Sequence, residues 1–187
     1  MRPAEEHSRE AIEDELLAVR CQLGEPAAFD QLILRWHEPL WKYARRLTGD
    51  DESAAETVQD VWLRVLRGMA RLREPARLRA WLFGIARRAV MDRLRQEYAA
   101  PSFVSADQCE IAAQDDSADS EEELTLIQEE LMRLPVIERD VLTLFYLREL
   151  TLSQISDVLE IPVGTVKSRL FRARHALRDQ MQRKENR

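Results

Sequence analysis

From Ile12 to Tyr98 apolar residues return every three or four positions with hardly a break, and no β-branched run alternates with period two anywhere in the chain. That spacing marks one face of an α-helix rather than the pleat of a strand. Phe29, Leu32, Ile33, Trp36, Leu40, Tyr43 and Leu47 trace one long helix. Thr48-Gly49-Asp50-Asp51 stops it, because Gly and Asp favour a helix end and a turn. A second helix is expected from about Ser53, with Ser53 as its N-cap and Glu56 three residues on. Its apolar stripe is Val58, Val61, Trp62, Val65, Leu66 and Met69. The segment Arg71-Leu72-Arg73-Glu74-Pro75-Ala76 breaks the pattern. A third helix then carries Leu78, Trp81, Leu82, Ile85, Ala86, Ala89, Val90 and Leu94. These stripes read as core, and none of their residues is assigned to a cofactor or metal.

The periodicity fades from Ala99 to about Ser120 and returns with Leu124, Ile127, Leu131, Leu134, Val141, Leu144, Phe145 and Leu147. The expected fold is therefore all-α. A helical domain of three or four helices spans 12–98, a flexible acidic linker 99–120, and a four-helix domain 121–182. A length of 187 residues accommodates two small domains. Five Gly and seven Pro argue against a turn-rich all-β chain. No stretch approaches the roughly 18 apolar residues that a membrane span requires. Met1-Arg2-Pro3-Ala4-Glu5-Glu6 is acidic where a signal peptide is basic and then apolar, so a cytoplasmic location and no membrane insertion are expected. Cys21 and Cys109 have no CxxC partner and read as reduced thiols, not as a disulfide or zinc framework.

The formal net charge of −6 would discourage a nucleic-acid reading, but the charge is segregated. Arg64 to Arg95 holds ten arginines against Glu74 and Asp92, a net of +8. Val163 to Arg187 holds eight basic residues against Asp179 and Glu185, a net of +6. Between them, Ser105 to Glu130 holds ten acids and no base. Two basic blocks separated by an acidic connector suggest two polyanion-binding modules in one chain.

The second block has a recognisable layout. Thr151 and Gln154 form a capping box at a helix start, and Leu152, Ile155, Val158 and Leu159 give that short helix an apolar face. Glu160-Ile161-Pro162 makes a break, and a longer helix starts near Val163-Gly164-Thr165. On it Val166, Leu170, Ala173 and Leu177 share one side, while Ser168, Phe171, Arg172 and His175 lie opposite, flanked by Lys167, Arg169 and Arg174. An apolar back with a basic, hydrogen-bonding front suits a DNA major groove. Thr165 and the first amides of the helix suit a phosphate.

Here a family resemblance adds to the reading. Ile161-Pro162-Val163-Gly164-Thr165-Val166-Lys167-Ser168-Arg169-Leu170, with Arg172-Ala173-Arg174 and Ala176-Leu177-Arg178, resembles the sigma-4 domain of extracytoplasmic-function (group IV) sigma factors of the sigma-70 family. Leu134-Pro135 and Glu138-Arg139-Asp140-Val141-Leu142 resemble the helix that precedes it there. Ala55-Glu56-Thr57-Val58-Gln59-Asp60-Val61-Trp62-Leu63 and Leu78-Arg79-Ala80-Trp81-Leu82-Phe83-Gly84-Ile85-Ala86-Arg87-Arg88 resemble two stretches of the family's sigma-2 domain, in the correct order. The resemblance implies a sigma factor that binds core RNA polymerase and directs initiation at promoter DNA, without enzymatic activity or cofactor.

It also implies roles for residues. Glu56, Gln59, Asp60 and Arg64 would meet the clamp helices of the largest polymerase subunit. The 71–77 loop would capture a flipped −10 base, so Arg73, Glu74, Ala76, Arg79, Arg87, Arg88, Asp92 and Arg95 form the expected −10 set, joined by Arg93 on the strand phosphates. Lys167, Ser168, Phe171 and Arg172 would enter the −35 major groove, with Arg139, Thr151, Thr165, Arg169 and Arg174 on its backbone. The sigma-4 domain would also dock on the flap of the second-largest subunit, and the acidic linker would occupy the RNA exit path. An anti-sigma factor is an expected partner. Arg88 stands where many relatives have Asn, and Gly84 where a basic residue is common, so the family's −10 preference does not carry over. A regulator that uses its helix-turn-helix without polymerase remains the alternative from the residues alone. A hydrolytic or metal enzyme is disfavoured, since His7, His37 and His175 lack partners at ligand spacing and no phosphate-cradling Gly loop is present.

Overall fold

Proline at a helix start and glycine just past its end delimit the longest helix of the N-terminal domain, as their backbone preferences require. In the computed structural model, which describes residues 3–99 and 129–185, α1 (Pro3–Gln22) is followed by α2 (Pro26–Thr48). Gly49 closes α2 with a left-handed φ of 100°, its N–H reaching the Arg45 carbonyl at 3.0 Å. The predicted stop is therefore observed. The next helix, α3 (Asp51–Gly68), starts two residues before the expected Ser53. Asp50 is the cap instead, its carboxylate accepting from the Ser53 N–H at 2.7 Å. A carboxylate at this position also sits favourably against the helix dipole.

Two short 3₁₀ turns, Met69–Arg71 and Pro75–Arg77, replace the expected open loop before α4 (Leu78–Ala99). The Gln22 side-chain amide, a residue the sequence pattern does not single out, fastens the first turn by donating to the carbonyls of Met69 (3.2 Å) and Leu72 (2.6 Å). The core of the domain is a ring cluster in which Phe83 meets Trp36 edge-on at 6.1 Å and Tyr43 at 5.4 Å. Such crossed rings add to the area they bury.

In the C-terminal domain a helical turn over 129–132 leads into α5 (Val136–Leu142), which continues with π-helical hydrogen bonding through Thr143–Leu147. Then follow α6 (Leu152–Leu159) and α7 (Val163–Glu185). Ala99, the first residue of the expected linker, still belongs to α4; residues 100–120 with Cys109, and the apolar positions Leu124 and Ile127, lie outside the described residues. The described residues form no strand, and no helix among them is long and apolar enough to cross a membrane.

The two domains pack against each other, α4 on α6 and α2 on α5. This changes the reading of α4. A single apolar stripe was expected, but Leu78, Ala80, Leu82, Phe83, Ile85, Ala86, Ala89 and Val90 are all buried, which takes in nearly every side of the helix. Residues pointing away from α2 and α3 are covered by the C-terminal domain. The opposite correction applies to α3, where Leu66 was placed in the core stripe but is 51% exposed.

Candidate nucleic-acid interface

The helix-turn-helix is built from its caps outward. Thr151 accepts from the Gln154 N–H (3.2 Å) and the Gln154 side chain accepts from the Thr151 N–H (2.9 Å), so the reciprocal capping box fixes the start of α6. Glu160 takes a left-handed φ of 55°, which turns the chain sharply, and the Ser156 hydroxyl locks the turn on the Ile161 carbonyl at 2.5 Å. Val166, Leu170 and Ala173 of α7 are buried against Ile155, Val158 and Leu159 of α6, with Leu177 partly buried behind them. The opposite side of α7 is open. Lys167, Ser168, Phe171, Arg172 and Arg174 are exposed there, and Thr165 and Arg169 are half-buried beside them. Phe171 is 63% exposed and packs against His175 with the rings tilted by 56° and their centres 4.3 Å apart. The Arg174 guanidinium lies over the rings of Phe145 and Tyr146 at 5.5 and 5.3 Å, which holds its charge at this surface while the residue stays exposed. A long helix with this face open can enter a major groove.

Arg139 was expected on the same surface and is not there. It is buried, donating to the Arg46 carbonyl across the domain boundary (2.9 Å) and to the Leu134 carbonyl (3.1 Å). A guanidinium so placed pins two domains together and is out of reach of a DNA backbone in this arrangement.

The N-terminal basic block is organised differently. Arg73, Glu74 and Ala76 are exposed on the turn before α4, with Glu74 held by Arg77 at 2.7 Å. Arg95 is exposed near the end of α4, bridging to Asp92 at 3.0 Å. Between these ends three arginines face the C-terminal domain. Arg77 pairs with Asp157 (3.2 Å), Arg88 with Glu160 (3.1 Å), and Arg87 with Asp140 (2.9 Å). Arg79 lies over the Trp36 ring at 5.5 Å. Asp140 is buried and also accepts from the Tyr43 hydroxyl at 2.8 Å. Its desolvation raises the carboxyl above the usual range, against the opposing pull of Arg87. Arg148, over Phe83 at 5.9 Å, is pushed down to about 10, first by burial and then by the like charges of Arg46 and Arg79.

The expected polymerase-facing set lies on α3. Glu56 is engaged by Arg93, which also contacts Glu97 (2.7 Å) and the Ser53 hydroxyl (3.1 Å). Arg64 joins Asp60 (2.7 Å) to Asp92 of α4 (3.0 Å). Gln59 remains exposed. Beside it Leu63 and Leu66 are 50% and 51% exposed. Residues 59, 63 and 66 share one helical face. Sequence reasoning missed this mixed patch, and Leu63 carried the only available signal, since it falls outside the α3 stripe.

Comparison with known proteins decides the family. Residues 32–99 match the Sigma-70 region 2 family and residues 124–177 the Sigma-70 region 4 family. The chain is 34% identical over 168 residues to the ECF RNA polymerase sigma factor SigM of Mycobacterium tuberculosis, covering 90% of this chain and 84% of that protein. This chain belongs to the ECF RNA polymerase sigma factor family. ECF factor SigW of Bacillus subtilis is similar at 29% identity, over 84% of this chain and 91% of its own length. The fold matches CnrH, solved in complex with the cytosolic domain of CnrY, with a TM-score of 0.69 and 25% identity over 90% of this chain and 97% of that one. As a member of this ECF family the chain is a transcription initiation factor that acts through RNA polymerase, and not an enzyme.

Proposed function

We propose that this sigma factor divides promoter recognition between its two domains, residues 12–98 and 121–182, joined by the linker 99–120. The exposed face of α7 supports −35 recognition. Lys167, Ser168, Phe171 and Arg172 are placed for the groove, with Thr151, Thr165, Arg169 and Arg174 on the flanking phosphates. The turn before α4 and its arginines, Arg73, Glu74, Ala76, Arg79, Arg87, Arg88 and Arg95 with Asp92, take the −10 element, a flipped base entering the turn and the strand phosphates meeting the guanidinium groups. On α3, Glu56, Gln59, Asp60 and Arg64 meet the clamp helices of the largest polymerase subunit, and exposed Leu63 and Leu66 extend that contact. The C-terminal domain docks on the flap of the second-largest subunit.

The observation that carries this reading is the segregation of α7 into a buried apolar back and an exposed basic front behind a capped helix-turn-helix. The protein acts in the cytoplasm, where polymerase and promoters are, and an anti-sigma factor holds it inactive. The solved complexes of CnrH with CnrY and of RpoE with the anti-sigma factor NepR support that last point.

Run-off transcription with purified core RNA polymerase on a genomic fragment library tests the assignment. New, protein-dependent starts that share a −35 and a −10 element are expected. Sequence-specific duplex binding without any new start would instead point to a regulator that works apart from polymerase.

A further inference from the structure

We infer that the acidic edge of the C-terminal domain and the −10 strand compete for the same arginines, so that in the closed chain Arg77, Arg87 and Arg88 are engaged by acids while the turn at 73–76 and the −35 surface stay open. The inference rests on the proposed −10 role of α4. Three acids on successive elements of the C-terminal domain meet three arginines spaced along the N-terminal one. Asp157 of α6 binds Arg77 (3.2 Å), Glu160 of the turn binds Arg88 (3.1 Å), and Asp140 of α5 binds Arg87 (2.9 Å). Carboxylates set against a row of guanidinium groups occupy the positions that strand phosphates would take. The apolar packing of α6 on α4 brings them there, and Arg139 on the Arg46 carbonyl adds a fourth tie. None of these contacts involves the outward face of α7, where Lys167, Ser168, Phe171 and Arg172 stay exposed.

The consequence is an order of events. A binding-competent surface that is only fractionally populated has its apparent affinity reduced by that fraction. The free factor therefore binds a −35 duplex at full strength and a −10 strand weakly. Core polymerase, by holding the two domains apart, releases α4 for the strand.

The test uses the full chain and a promoter found by run-off transcription. Fluorescence anisotropy measures binding of its non-template −10 single strand and, separately, of its −35 duplex, without polymerase. The Asp157→Asn/Glu160→Gln variant is nearly isosteric and leaves every arginine in place. It is expected to bind the single strand at least about five-fold more tightly, through the larger open fraction, with the duplex affinity changed by less than about two-fold.

The reverse variant carries Arg77→Cys and Asp157→Cys in a Cys21→Ala/Cys109→Ser background, joined by a reducible bifunctional thiol reagent. It is expected to lose single-strand binding and run-off activity while keeping duplex binding, and to regain both on reduction. Equal single-strand affinity in the wild type and the release variant, with full activity in the cross-linked protein, would overturn the competition. Arg87→Ala/Arg88→Ala in the release background separates this failure from that of the −10 reading. If single-strand binding persists there, the −10 assignment itself is wrong.

Discussion

Helices α4 and α7 carry comparable blocks of positive charge, yet their charges do different work. On α7 the basic residues stand on one exposed side above a buried apolar back. On α4 burial runs almost around the helix, and its middle arginines are held by acids of the neighbouring domain. Two phenylalanines state the contrast most simply: Phe83 of α4 is fully buried, and Phe171 of α7 is 63% exposed. A net charge summed along the sequence thus measures how much charge is present, and tertiary partners decide how much of it a polyanion can reach.

The largest effect expected from this contrast is on stability. Phe83→Ala, which opens a cavity beside Trp36 and Tyr43, should cost about 3–5 kcal/mol in denaturant unfolding. Phe171→Ala should stay within about 0.5 kcal/mol, while weakening −35 binding. Equal losses of stability would break the comparison. Next in size, Arg172→Ala should cost about 1–3 kcal/mol in −35 duplex binding and relax discrimination at one base pair, read by competition with mutated duplexes. Thr151→Ala removes the reciprocal cap of α6 and should lower stability by about 1 kcal/mol, measured by thermal unfolding. Arg95→Ala, at the open end of α4, should flatten the salt dependence of −10 strand binding by about 0.7 in log–log slope, the share of one single-strand phosphate contact.

The smallest expected effect is a pH dependence. Asp140 faces Tyr43 of α2, Arg87 of α4 and, through its field, Arg169 of α7. Burial raises its carboxyl, so the docked arrangement binds a proton more readily than the undocked one. Docking should therefore strengthen on mild acidification and weaken as pH rises through the raised pKa. Energy transfer between dyes placed on the two domains, compared for the wild type and Asp140→Asn, reads this directly.

Much of the architecture was legible because it rests on local chemistry. The stop at Gly49, the Thr151–Gln154 capping box, the turn at Glu160-Ile161-Pro162 and the inward side of α7 all follow from short-range backbone and periodicity rules, and all are observed. What the sequence hid depends on contacts between distant residues. The cap of α3 is Asp50 because its carboxylate, three residues upstream, takes the Ser53 N–H and draws Ser53 into the first turn. Leu66 reads as core by spacing alone, yet no helix covers it. Arg139 reads as a phosphate ligand by its place in the motif, yet the approach of α2 buries it. The occupied arginines of α4 could not be foreseen, since their partners lie some 50 to 80 residues away in sequence.

The division of labour between the two helices is tested most directly by footprinting the polymerase holoenzyme on one of its promoters, with DNase I across the −35 element and permanganate on unpaired thymines of the −10 element. With Arg87→Ala/Arg88→Ala the −35 protection should persist while thymine reactivity disappears, and with Lys167→Ala/Arg172→Ala the −35 protection should go first. Loss of both signals together in the α4 variant, with the protein folded and bound to core polymerase, would contradict the assignment of the two faces to two promoter elements.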